Sequence, residues 1–171
     1  MHEKICPHCL SYMSDSELLG WMRCPACSFM IKKVKSMITM QELLMNRVKF
    51  EDLPADIQAN GKDLLEKLNK FRKEYGQPMY VVSGYRRPED NAATNGAKLS
   101  AHLSLQACDF KDSDGKLFEF IKKDPKVLDR CDLYMEDAQW TPNWIHLQNR
   151  KASTRIFIPN QSLPKDIKRK I

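Results

Sequence analysis

Three segments of the chain carry apolar residues at helical spacing. The longest covers residues 54 to 75, where apolar side chains recur every three to four positions until Gly76 supplies a stop signal. A shorter helix is predicted to begin after Thr39 and run to about residue 46, because Thr39 and Glu42 have the spacing of a capping box. The third segment, Lys116–Lys123, is predicted as an amphipathic helix that ends before a proline.

The second half of the chain is dominated by short runs of β-branched, aromatic and other apolar residues, which are typical of strands. Residues 89 to 101 are rich in Asn, Ala, Gly and Ser and predict irregular structure instead. Helices that precede several strands indicate an α+β fold. The predicted strands cover residues 79–82, 107–111, 132–135, 144–148 and 155–158.

Composition narrows the class of protein. The 171 residues are 42% hydrophobic and 29% charged, and the mean hydropathy is -0.55. No stretch approaches the roughly 20 apolar residues of a membrane span, which excludes a membrane protein. The first residues lack the apolar region of a secretory signal peptide, so we expect a protein that is cytoplasmic on synthesis. A net charge of +6 favours anionic partners such as nucleic acid or a cell-wall polymer.

Four of the six cysteines lie within the first 27 residues, as Cys6-x-x-Cys9 and Cys24-x-x-Cys27. Each C-x-x-C pair forms a tight turn that aims two thiolates at one point, and two such turns supply a closed tetrahedral zinc site. A segment this small folds only with the free energy of metal binding. The pattern predicts a four-cysteine zinc ribbon over residues 1–35, in which zinc has a structural role.

Histidine is scarce, and two of the four histidines lie in informative surroundings. His102 and Asp109 are close in the sequence, and His146 lies in a predicted strand. Three protein ligands with a fourth position open to water are typical of a catalytic zinc site. Zinc in such a site lowers the pKa of bound water and polarises a scissile carbonyl. Spacing alone leaves open that these histidines are ordinary core residues.

Four short motifs surround these residues in a fixed order: S-G-Y-R over residues 83–86, S-x-H ending at His102, A-x-D ending at Asp109 and W-x-H ending at His146. With this combination, about residues 38 to 159 resemble the zinc peptidases that cleave D-Ala-D-Ala and L-Ala-D-Glu bonds of bacterial cell walls. That family includes D-alanyl-D-alanine carboxypeptidases and many phage endolysins. The resemblance implies a hedgehog-like antiparallel sheet with flanking helices.

The resemblance also assigns roles to individual residues. His102, Asp109 and His146 correspond to the zinc ligands of the catalytic site. Arg86 corresponds to the arginine that binds a substrate carboxylate, a role that suits a guanidinium fork. Ser100 is expected to support the site through hydrogen bonding. The residues expected to bind substrate are Arg86, Ser100, Asn143 and Trp144.

The chain departs from the family pattern at two positions. Leu105 stands where the family usually has a glycine, which implies backbone strain or a local remodelling. Asn143 stands three residues before the last histidine, where many members have the acid that takes a proton from zinc-bound water. A neutral amide is not a general base. Glu136, at the end of the preceding predicted strand, is therefore the preferred substitute, with Asp137 beside it.

The sequence thus predicts a ribbon over residues 1–35, a zinc peptidase-like domain over residues 36–160 and a basic tail over residues 161–171. The expected function is cleavage of peptidoglycan stem peptides, as in a phage endolysin or virion-associated lysin that acts on the wall after release. The ribbon then serves targeting or assembly, with other phage or virion proteins as its partners. The first alternative is a non-catalytic relative that binds peptidoglycan or forms part of a phage particle, which Asn143 favours. A ribbon that binds nucleic acid is the least favoured function, and it predicts affinity that falls steeply with salt.

Overall fold

The structure is a computed structural model that describes Cys9, Ser14–Asp15, residues 21–28, Met30–Lys32 and residues 37–159. The predicted tail of residues 161–171 lies outside the described residues. The chain divides into two units, Met1–Ser36 and Met37–Ile171. No helix in the described parts of the chain is both long and apolar enough to cross a membrane.

The first unit contains a small antiparallel sheet of three strands in the order β1-β2-β3. These strands are β1 (Ser14–Asp15), β2 (Trp21–Arg23) and β3 (Met30–Lys32). Cys24 and Cys27 lie in the turn between β2 and β3, where the backbone N–H of Ser28 donates to the carbonyl of Cys24 at 2.8 Å. Ser28 has a φ of 60°, so the chain reverses tightly after the second cysteine.

The second unit is an α+β domain built on a five-stranded sheet in the order β4-β5-β7-β6-β8. All neighbouring strands run antiparallel except β6 and β8, so the predicted antiparallel sheet with flanking helices is confirmed, with one parallel pair at its edge. The elements in chain order are α1 (Met40–Leu43), α2 (Ala55–Tyr75), β4 (Val81–Ser83), α3 (Pro88–Ala93), β5 (Ala107–Lys111), α4 (Lys116–Lys123), α5 (Lys126–Arg130), β6 (Tyr134–Glu136), β7 (Trp144–Gln148) and β8 (Ile156–Phe157).

Local capping explains the helices that the sequence predicted. Thr39 caps α1 through its hydroxyl, which accepts a hydrogen bond from the Glu42 backbone N–H at 3.3 Å. The Glu42 carboxylate accepts the Thr39 backbone N–H in return at 3.0 Å, which completes the capping box. α2 ends at Gly76, whose φ of 69° is the left-handed conformation that glycine adopts without a steric penalty.

The central strands separate the core from the site. Successive side chains of a strand point to opposite faces of the sheet. Cys108 and Phe110 of β5 therefore lie on one face with Ile145 and Leu147 of β7, and all four belong to the hydrophobic core. The opposite face of the same two strands carries the polar residues of the candidate site. α2 packs on the core side through Leu64, Leu68 and Phe71.

Two α-helices of the described residues were not predicted. Residues 89 to 101 were expected to be irregular, yet α3 covers Pro88–Ala93. Pro88 is at the first helical position, which suits a residue without an N–H, and the Asp90 carboxylate accepts the Arg87 backbone N–H at 3.4 Å. α5 follows Pro125 directly, so the proline that ends α4 also begins the next short helix.

Candidate active site

Three elements bring His102, Asp109 and His146 together. Asp109 in β5 lies directly opposite His146 in β7. His102 lies on a 3-10 helix, Ala101–Ser104, which contacts β5. Asp109 Oδ1 is 2.7 Å from His146 Nδ1 and 3.3 Å from His102 Nε2. All three side chains are buried, and one potential ligand atom from each lies within 4.8 Å of the other two.

The outer nitrogens of both histidines face acceptors. His102 Nδ1 is 2.7 Å from the backbone carbonyl of Gly84, and His146 Nε2 is 3.2 Å from Gln148 Oε1. A carbonyl oxygen only accepts, so each ring donates from its outer nitrogen and turns the other nitrogen toward Asp109. Two nitrogen lone pairs and a carboxylate can then converge on one cation. The donor set fits zinc, which takes histidine nitrogen and aspartate oxygen.

A proton on either histidine can take the place of the cation between these groups, and the pKa shifts describe that protonated arrangement. Burial opposes the charge of Asp109, but hydrogen bonds to both histidines outweigh it and hold the pKa of the carboxyl well below its usual range. Burial lowers the pKa of His102 below its ordinary value. Burial also disfavours charge on His146, yet the hydrogen bond and charge of Asp109 raise its pKa overall. Asp109 is thus an anion. Because the pKa of His146 is raised, a proton on His146 competes with a metal ion for this residue.

The S-G-Y-R motif braces the site from the neighbouring strand. Ser83 lies opposite Asp109 in the register of β4 and β5. Arg86 Nε donates to Ser83 Oγ at 2.9 Å, and Arg86 Nη2 donates to Asp109 Oδ2 at 3.0 Å. Gly84 is required for space, because a Cβ there would lie 2.0 Å from the carbonyl oxygen of Leu43. The motif therefore orients the Asp109 carboxylate through the hydrogen bond from Arg86 to Oδ2, the oxygen that does not face the histidines.

Ser100 and Leu105 shape the two ends of the 3-10 helix that carries His102. Ser100 Oγ accepts the backbone N–H of His102 at 3.3 Å, so Ser100 contacts the 3-10 helix that carries His102. Leu105 follows the helix with φ 52° and ψ 38°, the left-handed conformation expected from the family's glycine. Its side chain is fully buried. Of the two expected alternatives, the left-handed backbone of Leu105 corresponds to strain.

Glu136 lies in β6, the strand that pairs with the His146 strand β7. β6 pairs with β7 through Tyr134 opposite Gln148 and Met135 opposite Leu147, and the next step of this register places Glu136 opposite His146. Opposed residues on neighbouring strands have Cβ atoms about 5 Å apart. Glu136 is half-buried, and burial raises the pKa of its carboxyl above the ordinary value, although the charge of His146 opposes this shift and that of Asp109 adds to it.

Asn143 and Trp144 stand at the start of β7 with exposed side chains. Asn143 has a φ of 77°, and its backbone carbonyl accepts the N–H of Asp112 at 2.8 Å. Asparagine tolerates the left-handed conformation better than most residues, which gives Asn143 a role in the turn. Trp144 lies opposite Lys111. It is two residues before His146 in β7, so both side chains lie on the same face of the sheet.

A second cluster of possible metal ligands lies in the first unit. One ligand atom each from Cys9, Cys24 and Cys27 lies within 4.8 Å of the others, and the sulfurs of Cys9 and Cys24 are 3.4 Å apart. Cys24 is fully buried, and no disulfide joins the cysteines that the structure describes. Cys6, the fourth predicted ligand, lies outside the described residues.

Sequence reasoning missed two groups that contact the candidate ligands. Gln148 faces His146 and the Gly84 carbonyl faces His102. The spacing of Gln148 from His146 is a usable signal, because residues i and i+2 of a strand share a face. No signal in the sequence marks the Gly84 carbonyl, since its approach to His102 depends on how β4 packs beside the 3-10 helix.

The fold and the site define a class: an α+β domain whose sheet presents a buried His–Asp–His set with the chemistry of a divalent metal site. The family profile described as Peptidase M15 matches residues 36–148, about two thirds of the chain. The chain therefore belongs to the peptidase M15 family, as its motifs indicated. None of the curated proteins compared with the chain matches it.

Proposed function

We propose that this protein is a zinc peptidase that cleaves the stem peptides of peptidoglycan. The observation that carries the proposal is the convergence of His102, Asp109 and His146 within a domain of the peptidase M15 family. The three residues are the proposed zinc ligands. When bound, zinc supplies Lewis acidity, which polarises an amide carbonyl and lowers the pKa of water.

Glu136 is the proposed general base. Its support is its place opposite His146 in the sheet and a carboxyl pKa that is raised toward the range useful for proton transfer. Glu136 accepts a proton from the attacking water and returns it to the leaving amine. Asn143, which stands where many members have the acid, has no group that performs this step.

Arg86 is the proposed anchor for a substrate carboxylate. Its Nε and Nη2 contact Ser83 and Asp109, which fixes the plane of the guanidinium beside the ligand set. A guanidinium has five N–H donors, and those not used by these two contacts are the ones proposed for the substrate. The exposed indole of Trp144 and the side chains of Asn143 and Ser100 are proposed to line the substrate path.

Zinc content and hydrolysis, measured together, test the proposal. Wild type and the His146→Ala variant are analysed for zinc per chain and for release of new amino termini from purified peptidoglycan. Loss of one zinc together with loss of hydrolysis is the expected result. The Glu136→Gln variant is expected to keep its zinc and lose at least about 100-fold in rate, as is usual when a general base is removed. Glu119→Gln, an exposed glutamate on α4, is the matched control and keeps full activity.

The alternative is a non-catalytic member that binds peptidoglycan or forms part of a phage particle, and the observation that favours it is Asn143. Wild type that binds zinc and sediments with peptidoglycan, but releases no amino termini from several wall types, would establish this alternative. Lysis of cells treated from outside with the purified protein would support the proposed setting of a phage endolysin or virion-associated lysin.

The cysteine cluster is proposed to hold a second, structural zinc, with Cys6 as the fourth thiolate. Four thiolates close the coordination sphere, so this metal stabilises the first unit and takes no part in hydrolysis. Cobalt substitution is the direct test, because cobalt bound by thiolates gives an intense sulfur-to-metal absorption. Cys24→Ser is expected to abolish this absorption, whereas Cys131→Ser in the second unit leaves it intact. The ribbon's proposed partners are other phage or virion proteins.

A further inference from the structure

Gln148 occupies a buried position between a proposed metal ligand and a backbone carbonyl. Its side chain is 5% exposed. Gln148 Nε2 donates to the carbonyl of Arg150 at 2.6 Å, and Gln148 Oε1 lies 3.2 Å from His146 Nε2. The Arg150 carbonyl only accepts, so the amide nitrogen must face it. The amide oxygen must then face His146, and His146 must donate from Nε2.

We propose that Gln148 is a positioning residue that keeps the proton of His146 on Nε2 and so keeps Nδ1 available to the metal. His146 Nδ1 lies 2.7 Å from Asp109 Oδ1, on the side where the ligand atoms converge. Without an acceptor at Nε2, the favourable neutral form of the ring carries its proton on Nδ1 and donates it to Asp109. That form blocks two of the three ligands at once.

The two histidines of the site are held by different means. His102 is oriented by the backbone carbonyl of Gly84, which no side-chain substitution removes. His146 is oriented by a side chain, and among the described residues Gln148 is the acceptor at its Nε2. Acceptors of this kind typically change metal affinity by about 10- to 100-fold when removed. Gln148 is therefore a position at which a substitution changes the metal affinity of this site while all three proposed ligands are kept.

The surroundings of Gln148 keep the amide in one orientation. Arg150, whose carbonyl holds the amide, donates from Nη1 to the carbonyl of Leu99 at 2.8 Å. Leu99 immediately precedes Ser100, the cap of the helix that carries His102. The segment after Gln148 is thus bonded to the loop that precedes His102. A rotation of the Gln148 amide by 180° would break its hydrogen bonds to the Arg150 carbonyl and to His146.

The inference rests on the metal site of the proposed function, and its test measures zinc binding rather than hydrolysis, so the two fail separately. Gln148→Met keeps the volume and removes the acceptor, and Gln148→Glu keeps an acceptor. Zinc affinity by competition with a chelator is expected to fall about 10- to 100-fold in Gln148→Met and by much less in Gln148→Glu. Gln106→Met is the matched control, because this half-buried glutamine contacts Ser104 and neither histidine.

A spectroscopic signature separates positioning from packing. In zinc-loaded wild type labelled with ¹⁵N-histidine, His146 is expected to show an Nε2–H that exchanges slowly, and His102 an Nδ1–H. The Nε2–H signal is expected to be lost in Gln148→Met and kept in Gln148→Glu. Wild-type affinity in Gln148→Met, or an equal loss in both variants, would overturn the proposal. A wild-type His146 whose Nε2–H exchanges freely would also overturn it, even if no variant folds.

Discussion

Gly61 in α2 and Leu105 beside the site compete for the same space. A Cβ built on Gly61 would lie 2.4 Å from Leu105 Cδ2 and 3.0 Å from Leu105 Cγ, whereas Met40 Cε would be at an ordinary 3.5 Å. Leu105 is fully buried and has a left-handed backbone, so its side chain has little freedom to move aside. We predict that the effect of Gly61→Ala on stability changes sign with the residue at position 105.

The magnitude follows from two opposing terms. Alanine in place of glycine within a helix normally stabilises by about 1 kcal/mol. Overpacking of a filled core costs about 1–3 kcal/mol. We therefore expect Gly61→Ala to lower the free energy of unfolding by about 1 kcal/mol in wild type, as the balance of these terms. In a Leu105→Ala background the overlap is gone, and the same change is expected to raise it by about 1 kcal/mol.

The assay is a double-mutant cycle, with urea unfolding followed by far-ultraviolet circular dichroism. A coupling of about 2 kcal/mol between the two positions is expected. Gly76→Ala is the matched control, because Gly76 caps the end of the same helix and a Cβ added there would meet nothing within 4 Å. Its effect is expected to be the same in both backgrounds. Equal destabilisation by Gly61→Ala in both backgrounds would refute the steric explanation.

Three further predictions concern other parts of the second unit. Asp112→Ala removes a buried carboxylate that accepts two backbone N–H groups at the start of α4, each at 2.9 Å. It should lower the free energy of unfolding by about 1–3 kcal/mol in urea titrations, against no clear change for exposed Asp114→Ala. Burial raises the pKa of the Cys131 thiol to about 11 and that of Cys108 well above its ordinary value. Both should therefore resist iodoacetamide at pH 8 in the native protein, and rapid native labelling seen by mass spectrometry would contradict this. The raised pKa of Glu136 should place the acidic limb of kcat/KM above pH 4.5, because a base is active only when deprotonated, and a limb at or below pH 4.5 would contradict this raised pKa.

The helix boundaries that were predicted correctly depend on interactions between residues close together in the sequence. The capping box of Thr39 and Glu42 and the stop at Gly76 use contacts within a few residues of each other, so the sequence contains the whole interaction. The same reasoning failed for residues 88–93, where composition suggested a loop. There, Pro88 at the first helical position and the Asp90 carboxylate at the helix start favour a helix that the overall composition of residues 89 to 101 did not indicate.

The candidate ligands could be named from the sequence because the motifs fix residue types and order. The sequence could not show which nitrogen of each ring faces inward. That depends on the Gly84 carbonyl and the Gln148 amide, which reach the rings from β4 and from two residues along β7. The position of Glu136 near His146 likewise depends on the pairing of β6 with β7.

The sequence by itself determined the helix caps, the central strands, the α+β class, the cysteine pattern and the order of the His, Asp and His residues. Each of these depends on neighbours along the chain or on the period of a helix or strand. Only the tertiary structure decided that His102 and His146 meet at Asp109, that β8 pairs parallel to β6, and that Leu105 packs against Gly61. These features join residues tens of positions apart, and their geometry is set by strand register and core packing, which local patterns do not encode.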